Sequence, residues 1–146
     1  MMAWLVQHRS RGPVSAPQPI SALDQQKHLV NRWFEEIWNQ GRREVIFELF
    51  APECVLYDGD KTIRGPEEFA AFYDNLQSQF SDFRITPSTV LAEGDLASLR
   101  WSVRCRHRAS GREVSLCGIS IVRSRDGRFV EAWQNWDAAG LAAQLT

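Results

Sequence analysis

From Phe83 to Trp136 the chain alternates apolar and polar residues in four long runs, separated only by Glu93-Gly94-Asp95, Ala109-Ser110-Gly111 and Arg125-Asp126-Gly127. A period of two sends successive side chains to opposite faces of a strand. Breaks this short return the chain as antiparallel hairpins. The C-terminal half is therefore predicted to form an antiparallel sheet with strands at 83–92, 96–107, 113–124 and 129–136. The second run is the clearest: Leu99, Trp101, Val103, Cys105 and His107 share one face, and Ser98, Arg100, Ser102, Arg104, Arg106 and Arg108 share the other. The basic row reads as a solvated or subunit-facing outer surface.

The N-terminal half carries a helical period. Leu29, Val30, Trp33, Phe34, Ile37 and Trp38 recur at helical spacing after Ser21, which is placed to cap with Asp24, and Asn39-Gln40-Gly41 ends the run. Val45, Ile46, Leu49 and Phe50 give a short second helix, closed before Pro52, whose ring disfavours helical geometry at Ala51. A strand at 54–58, the turn Asp58-Gly59-Asp60 and a return strand at 62–64 make a hairpin. Gly65-Pro66-Glu67-Glu68 then starts a third helix, with proline at its first position and acids at its positive end, striped by Phe69, Phe72, Tyr73, Leu76 and Phe80. Residues 1–20 contain Pro13, Pro17 and Pro19 without an apolar period and read as an extended arm; 21–146 reads as one domain. A chain of 146 residues suffices for one hydrophobic core.

Charge and cysteine usage narrow the class of partner. A net charge of -1 gives no electrostatic reason for a nucleic-acid partner, and small molecules stay open. Cys54, Cys105 and Cys117 form neither a disulfide framework nor a CxxC pair, so free thiols in a reducing, cytoplasmic compartment are expected. The apolar stretch Met2 to Val6 is too short for a signal-peptide core, and no apolar run reaches the roughly 20 residues of a membrane span. His8, His28 and His107 are scattered, and no phosphate loop or nucleophile elbow occurs, so no metal or cofactor is expected. Six tryptophans and eight phenylalanines supply either a core of large pieces or an aromatic-lined cavity, and cavity walls are also core.

Several stretches, in order, resemble one family: Trp38-Asn39-Gln40-Gly41, Glu48-Leu49-Phe50-Ala51-Pro52-Glu53, Gly65-Pro66-Glu67, Ala92-Glu93-Gly94-Asp95, Gly118-Ile119-Ser120-Ile121 and Asp126-Gly127-Arg128-Phe129-Val130-Glu131-Ala132-Trp133. The chain from Gln25 to Leu145 is similar to the SnoaL-like polyketide cyclases of the nuclear-transport-factor-2-like (NTF2-like) superfamily, which also holds ketosteroid isomerase. The resemblance implies a cone-shaped α+β barrel, with three N-terminal helices packed on a curved antiparallel sheet of mixed strand order. It also implies an apolar small-molecule pocket and a homodimer formed through the sheet. One departure is the 107–112 loop, which is shorter than is common in the family and lowers one wall of the pocket mouth.

Asp58 is the candidate catalytic residue. Strand parity puts it with Leu56 on one face, and the resemblance places it at the general-base position of ketosteroid isomerase. A carboxylate in an apolar cone is suited to moving a proton beside a carbonyl. Asp-Gly is equally an ordinary hairpin-turn pair, so a turn-capping role stays open. The positions matching the isomerase's oxyanion donors carry Phe34, which cannot donate, and Ser120, a weak donor. Where the family commonly has a His-Trp-Asp run, this chain has Ala132-Trp133-Gln134; Gln134 can orient a carbonyl but exchanges no proton. Asp137 is read as the cap of a terminal helix at 138–144, and His107 as either a rim group or an exposed strand end. Leu56, Trp101, Val103, Leu116 and Trp136 complete the expected pocket wall. Two functions remain: proton transfer of isomerase or cyclase type on a small carbonyl or polyketide-like compound, or a binding module that has lost the family's acid.

Overall fold

The computed structural model describes residue 16 and residues 20–146. The segment read as an arm therefore lies, apart from Ala16 and Ile20, outside the described residues. Helix α1 (Ala22–Arg32) starts at Ser21, whose hydroxyl accepts from the Asp24 N–H at 3.1 Å. It continues as a π-helical segment, Trp33–Asn39. The wider i→i+5 turn puts residues five apart on one face, so Trp33 and Trp38 join Phe34 and Ile37 in the interior. Gly41, at φ +69, takes the left-handed conformation that ends the segment.

A single 3-10 turn (Arg43–Val45) leads into α2 (Ile46–Leu49), and β1 (Phe50–Asp58) follows at once. The sequence reading began this strand at Cys54. The chain is already extended at Phe50, which pairs with Phe129; the register then slips before Val55, and Pro52 sits in that irregular stretch, where no ladder N–H is required. Strand β2 (Lys61–Arg64) returns antiparallel, with Asp58 opposite Lys61. Helix α3 (Gly65–Gln79) carries Pro66 in its first turn, and Phe80, expected in its stripe, instead opens β3 (Phe80–Glu93). Strands β4 (Leu96–His107), β5 (Glu113–Arg125) and β6 (Arg128–Trp136) meander antiparallel as expected, and α4 (Ala138–Leu145) closes the chain.

The six strands are ordered β2-β1-β6-β5-β4-β3, and β1 runs parallel to β6. The sheet is open rather than closed on itself; helix packing against β1 and β3 completes the cone. On the edge strand β3, Asn39 acts as a substitute strand partner: its side chain accepts from the Ile85 N–H at 2.7 Å and donates to the Ile85 carbonyl at 3.0 Å. The end of the π segment is thereby tied to the sheet edge. The core is strongly aromatic, with Phe50 stacked on Phe69 at 4.4 Å and Trp33 against Phe129 at 5.2 Å.

Candidate functional site

The register of the sheet builds the site. Across the inner face, Lys61, Asp58, Gln134, Ser120 and Leu99 are successive neighbours on β2, β1, β6, β5 and β4. A second inner row runs Trp136, Gly118, Trp101. Together with the π segment, α3 and α4 these rows enclose a cavity of about 350 Å³. Trp33, Phe34 and Trp38 line it from the helix side, with Phe69, Phe72 and Leu76 of α3 and Leu141 and Leu145 of α4. Its polar groups are few: Asp58, Lys61, Gln134, Asn75 and Gln79. A mainly apolar cavity with a small convergent polar set is the usual form of a small-molecule site.

Asp58 is 7% exposed and lines this cavity. The Trp136 indole N–H donates to its Oδ1 at 2.9 Å, and no further side-chain bond to Asp58 occurs among the described residues. The turn residues are Gly59 and Asp60, and Gly59 supplies the positive φ of +61 that the tight return requires. Asp58 is thus a strand residue in the wall, held by a side chain and not by turn backbone.

Seven of the nine residues singled out from sequence lie on the cavity: Asp58, Phe34, Trp101, Val103, Leu116, Gln134 and Trp136. Leu56 and Ser120 do not. Leu56 is 1% exposed and packs into the core beneath Asp58's row. Ser120, also 1% exposed, accepts from the Trp101 indole N–H at 2.9 Å and sits behind the wall rather than on it. Asp137 caps α4, accepting from the Gly140 N–H at 2.8 Å. His107 meets Ser110 at 2.8 Å and packs on Phe80, away from the cavity lining.

Lys61 was missed by the sequence reading, which began the return strand at Thr62. A two-residue Gly59-Asp60 turn pairs the residues flanking it, so Lys61 must oppose Asp58 and share its face. The buried Trp33 indole N–H has no partner among the described residues. Cys105 also lines the cavity, and burial pushes its thiol up to about 11, which leaves it a protonated wall residue near neutral pH and a poor nucleophile.

A second depression, of about 440 Å³, lies beside the turn after the π segment and is lined by Arg84, Arg104, Arg106, Asp82 and Glu113. Its charges are largely paired among themselves, Arg106 with Asp82 at 3.7 Å and Arg104 with Glu113 at 4.0 Å. The apolar cavity, which holds an acid in its wall, is the better candidate. Among the described residues no cluster of His, Cys, Asp or Glu suits a metal ion, and no helix is long and apolar enough to cross a membrane.

An open mixed sheet wrapped with helices around an apolar cavity, with one acid in the wall, defines the NTF2-like, ketosteroid isomerase-like class of α+β domains. Within that class the chain belongs to the SnoaL-like polyketide cyclase family, whose pattern it matches over residues 28–145. Similar solved structures include IdmH from Streptomyces antibioticus, assigned as a polyketide cyclase, with 28% identity, a TM-score of 0.74 and coverage of 83% of this chain and 98% of that one. A protein from a Jannaschia species, assigned as a SnoaL-like polyketide cyclase, superposes with a TM-score of 0.77 at 22% identity, over 87% of this chain and 96% of that one. A Catenulispora acidiphila protein with a ketosteroid isomerase-like fold gives 0.73 at 14% identity, covering 80% and 90%. A search of curated proteins gives no match.

Proposed function

We propose that the protein takes a small, largely apolar carbonyl or polyketide-like compound into the cone and moves a proton on it, with Asp58 as the base. The observation that carries this reading is the Asp58 carboxylate: buried, part of the cavity wall and bonded by Trp136. Removing a proton from the carbon beside a carbonyl leaves an enolate, with the electron pair shifted onto oxygen. Asp58 holds the proton. Returning it to a different carbon isomerises the substrate; attack of the enolate carbon on a second carbonyl of the same molecule closes a ring and leaves an alkoxide, which takes the proton back from Asp58. The enolate oxygen needs a charge or hydrogen-bond partner, which is often the larger part of the rate gain. Gln134 and Lys61, flanking Asp58 on the adjacent strands, are the groups available for it. Family membership and the likeness to IdmH support the cyclase or isomerase class.

A second reading, a non-catalytic binding or accessory module, is favoured by Gln134 standing where the resemblance implies an acid. A panel of small ketones and β-diketones separates the two. Under the catalytic reading, Asp58→Asn lowers turnover by about 10²–10⁴-fold while ligand binding persists, and Lys61→Met lowers it less. Unchanged turnover in Asp58→Asn would remove Asp58 from the mechanism; tight binding of panel members without any turnover would favour the module.

A further inference from the structure

Gly118 and Ser120 have no reacting role in the account above, yet both are buried on β5 beside the cavity. Trp101 explains them. It is the cross-strand partner of Gly118, and its indole lies across β5 to donate to Ser120 Oγ at 2.9 Å. A Cβ on Gly118 would overlap Trp101 Cζ2 and stand 2.7 Å from Cη2 and 2.8 Å from the Asn135 carbonyl oxygen. The ring therefore occupies the volume that any side chain at 118 would fill. Gly118 is not among the positive-φ glycines, so its missing side chain matters for space and not for backbone conformation. The bound ring is a wall residue of the cavity, in the row that contains Trp136, the partner of Asp58.

We propose that Gly118, Trp101 and Ser120 form a seat that sets the size limit of the ligand next to Asp58. Gly118 gives the indole its recess, and Ser120 ties the indole into it. The satisfied N–H keeps the ring flat, since an unpaired indole N–H buried in an apolar wall is costly. Any side chain at 118 pushes Trp101 into the cavity, and a smaller residue at 101 deepens it. This deepens the reading of the cavity as a site for apolar carbonyl compounds and rests on it.

The test compares affinities for benzene, naphthalene and biphenyl, and for acetophenone, 2-acetylnaphthalene and 4-acetylbiphenyl, by titration calorimetry on the full chain. In Trp101→Leu the biphenyl-to-benzene affinity ratio rises by about 10-fold or more, the scale on which pockets discriminate small apolar groups. In Ser120→Ala, which adds no bulk but frees the ring to leave its recess, the ratio falls by a smaller factor. Gly118→Ala lowers it. A ratio unchanged in both Trp101→Leu and Ser120→Ala, with native circular dichroism, would overturn the proposal; an unchanged ratio in Ser120→Ala alone would remove the tie and leave the recess. The ketones report separately on the carbonyl reading, which predicts tighter binding than the parent hydrocarbons and loss of that gain in Gln134→Leu. Ketones binding no better than hydrocarbons would sink that reading while a shifted size ratio upheld the seat.

Discussion

Burial and the bond from the Trp136 N–H hold the Asp58 carboxylate in the cavity wall and out of the turn that follows it. Ser120, expected as a weak donor toward substrate, is buried behind the cavity wall, where it accepts from Trp101. The cysteines illustrate how strongly burial acts on one residue type: burial pushes the Cys54 thiol up to about 12 and Cys105 up to about 11, whereas Cys117 is exposed. Iodoacetamide at about pH 8 should label Cys117 and spare the other two in the folded chain, read by peptide mass spectrometry. Cys54 and Cys105 bind protons more tightly folded than at the ordinary value of 9.0, so the unfolded chain loses them first and stability falls as pH rises from 9 toward 12. Alanine at both sites flattens that alkaline decline; an unchanged slope in melts of the double variant contradicts it. Trp136 is expected in the pocket wall, but nothing in a linear sequence states that its N–H reaches a carboxylate 78 positions away.

The elements were legible where the period was long. Strands β4, β5 and β6 matched their expected bounds closely, because uninterrupted alternation with glycine breaks admits one pairing. Local signals failed at transitions. The π segment looks helical in sequence, and its widened turn is visible only through which residues become buried. Lys61 was lost through a one-residue boundary. Helix α4 is a short element that carries part of the cavity wall through Leu141 and Leu145, and Gln144 ties it to both backbone groups of Ser115 on β5. Its N-terminus depends on the Asp137 carboxylate. Asp137→Ala should cost about 1 kcal/mol of stability and speed ligand release, measured by thermal melting and stopped-flow fluorescence. Release at the wild-type rate would show that α4 does not cover the bound ligand.

At the scale of the whole molecule, the outer face of the sheet contrasts with the inner. Ile119 and Ile121 are 56% and 42% exposed on β5, beside Trp133 stacked on Tyr57 at 6.0 Å. Flanking arginines on β4 make this the expected subunit surface, and we propose a homodimer joined there. Ile121→Arg with Trp133→Glu should give a monomer by light scattering at micromolar concentration; a wild-type monomer at that concentration contradicts the proposal. The architecture itself was readable because ordered short motifs and the hairpin series agree on one fold. The parallel β1–β6 pairing was not, since no local turn records it. That pairing is what brings Asp58 beside Gln134, so the candidate site is a property of the assembled sheet and not of any one segment.

Abstraction of a proton from carbon by Asp58 inside this cavity is read by following exchange of the methyl protons of bound acetophenone for deuterium in heavy water by NMR. The wild-type protein should accelerate the exchange, and Asp58→Asn should lose about 10²-fold or more of that acceleration at unchanged ketone affinity. Equal exchange rates for the two proteins, or no acceleration by saturated wild type, would contradict it.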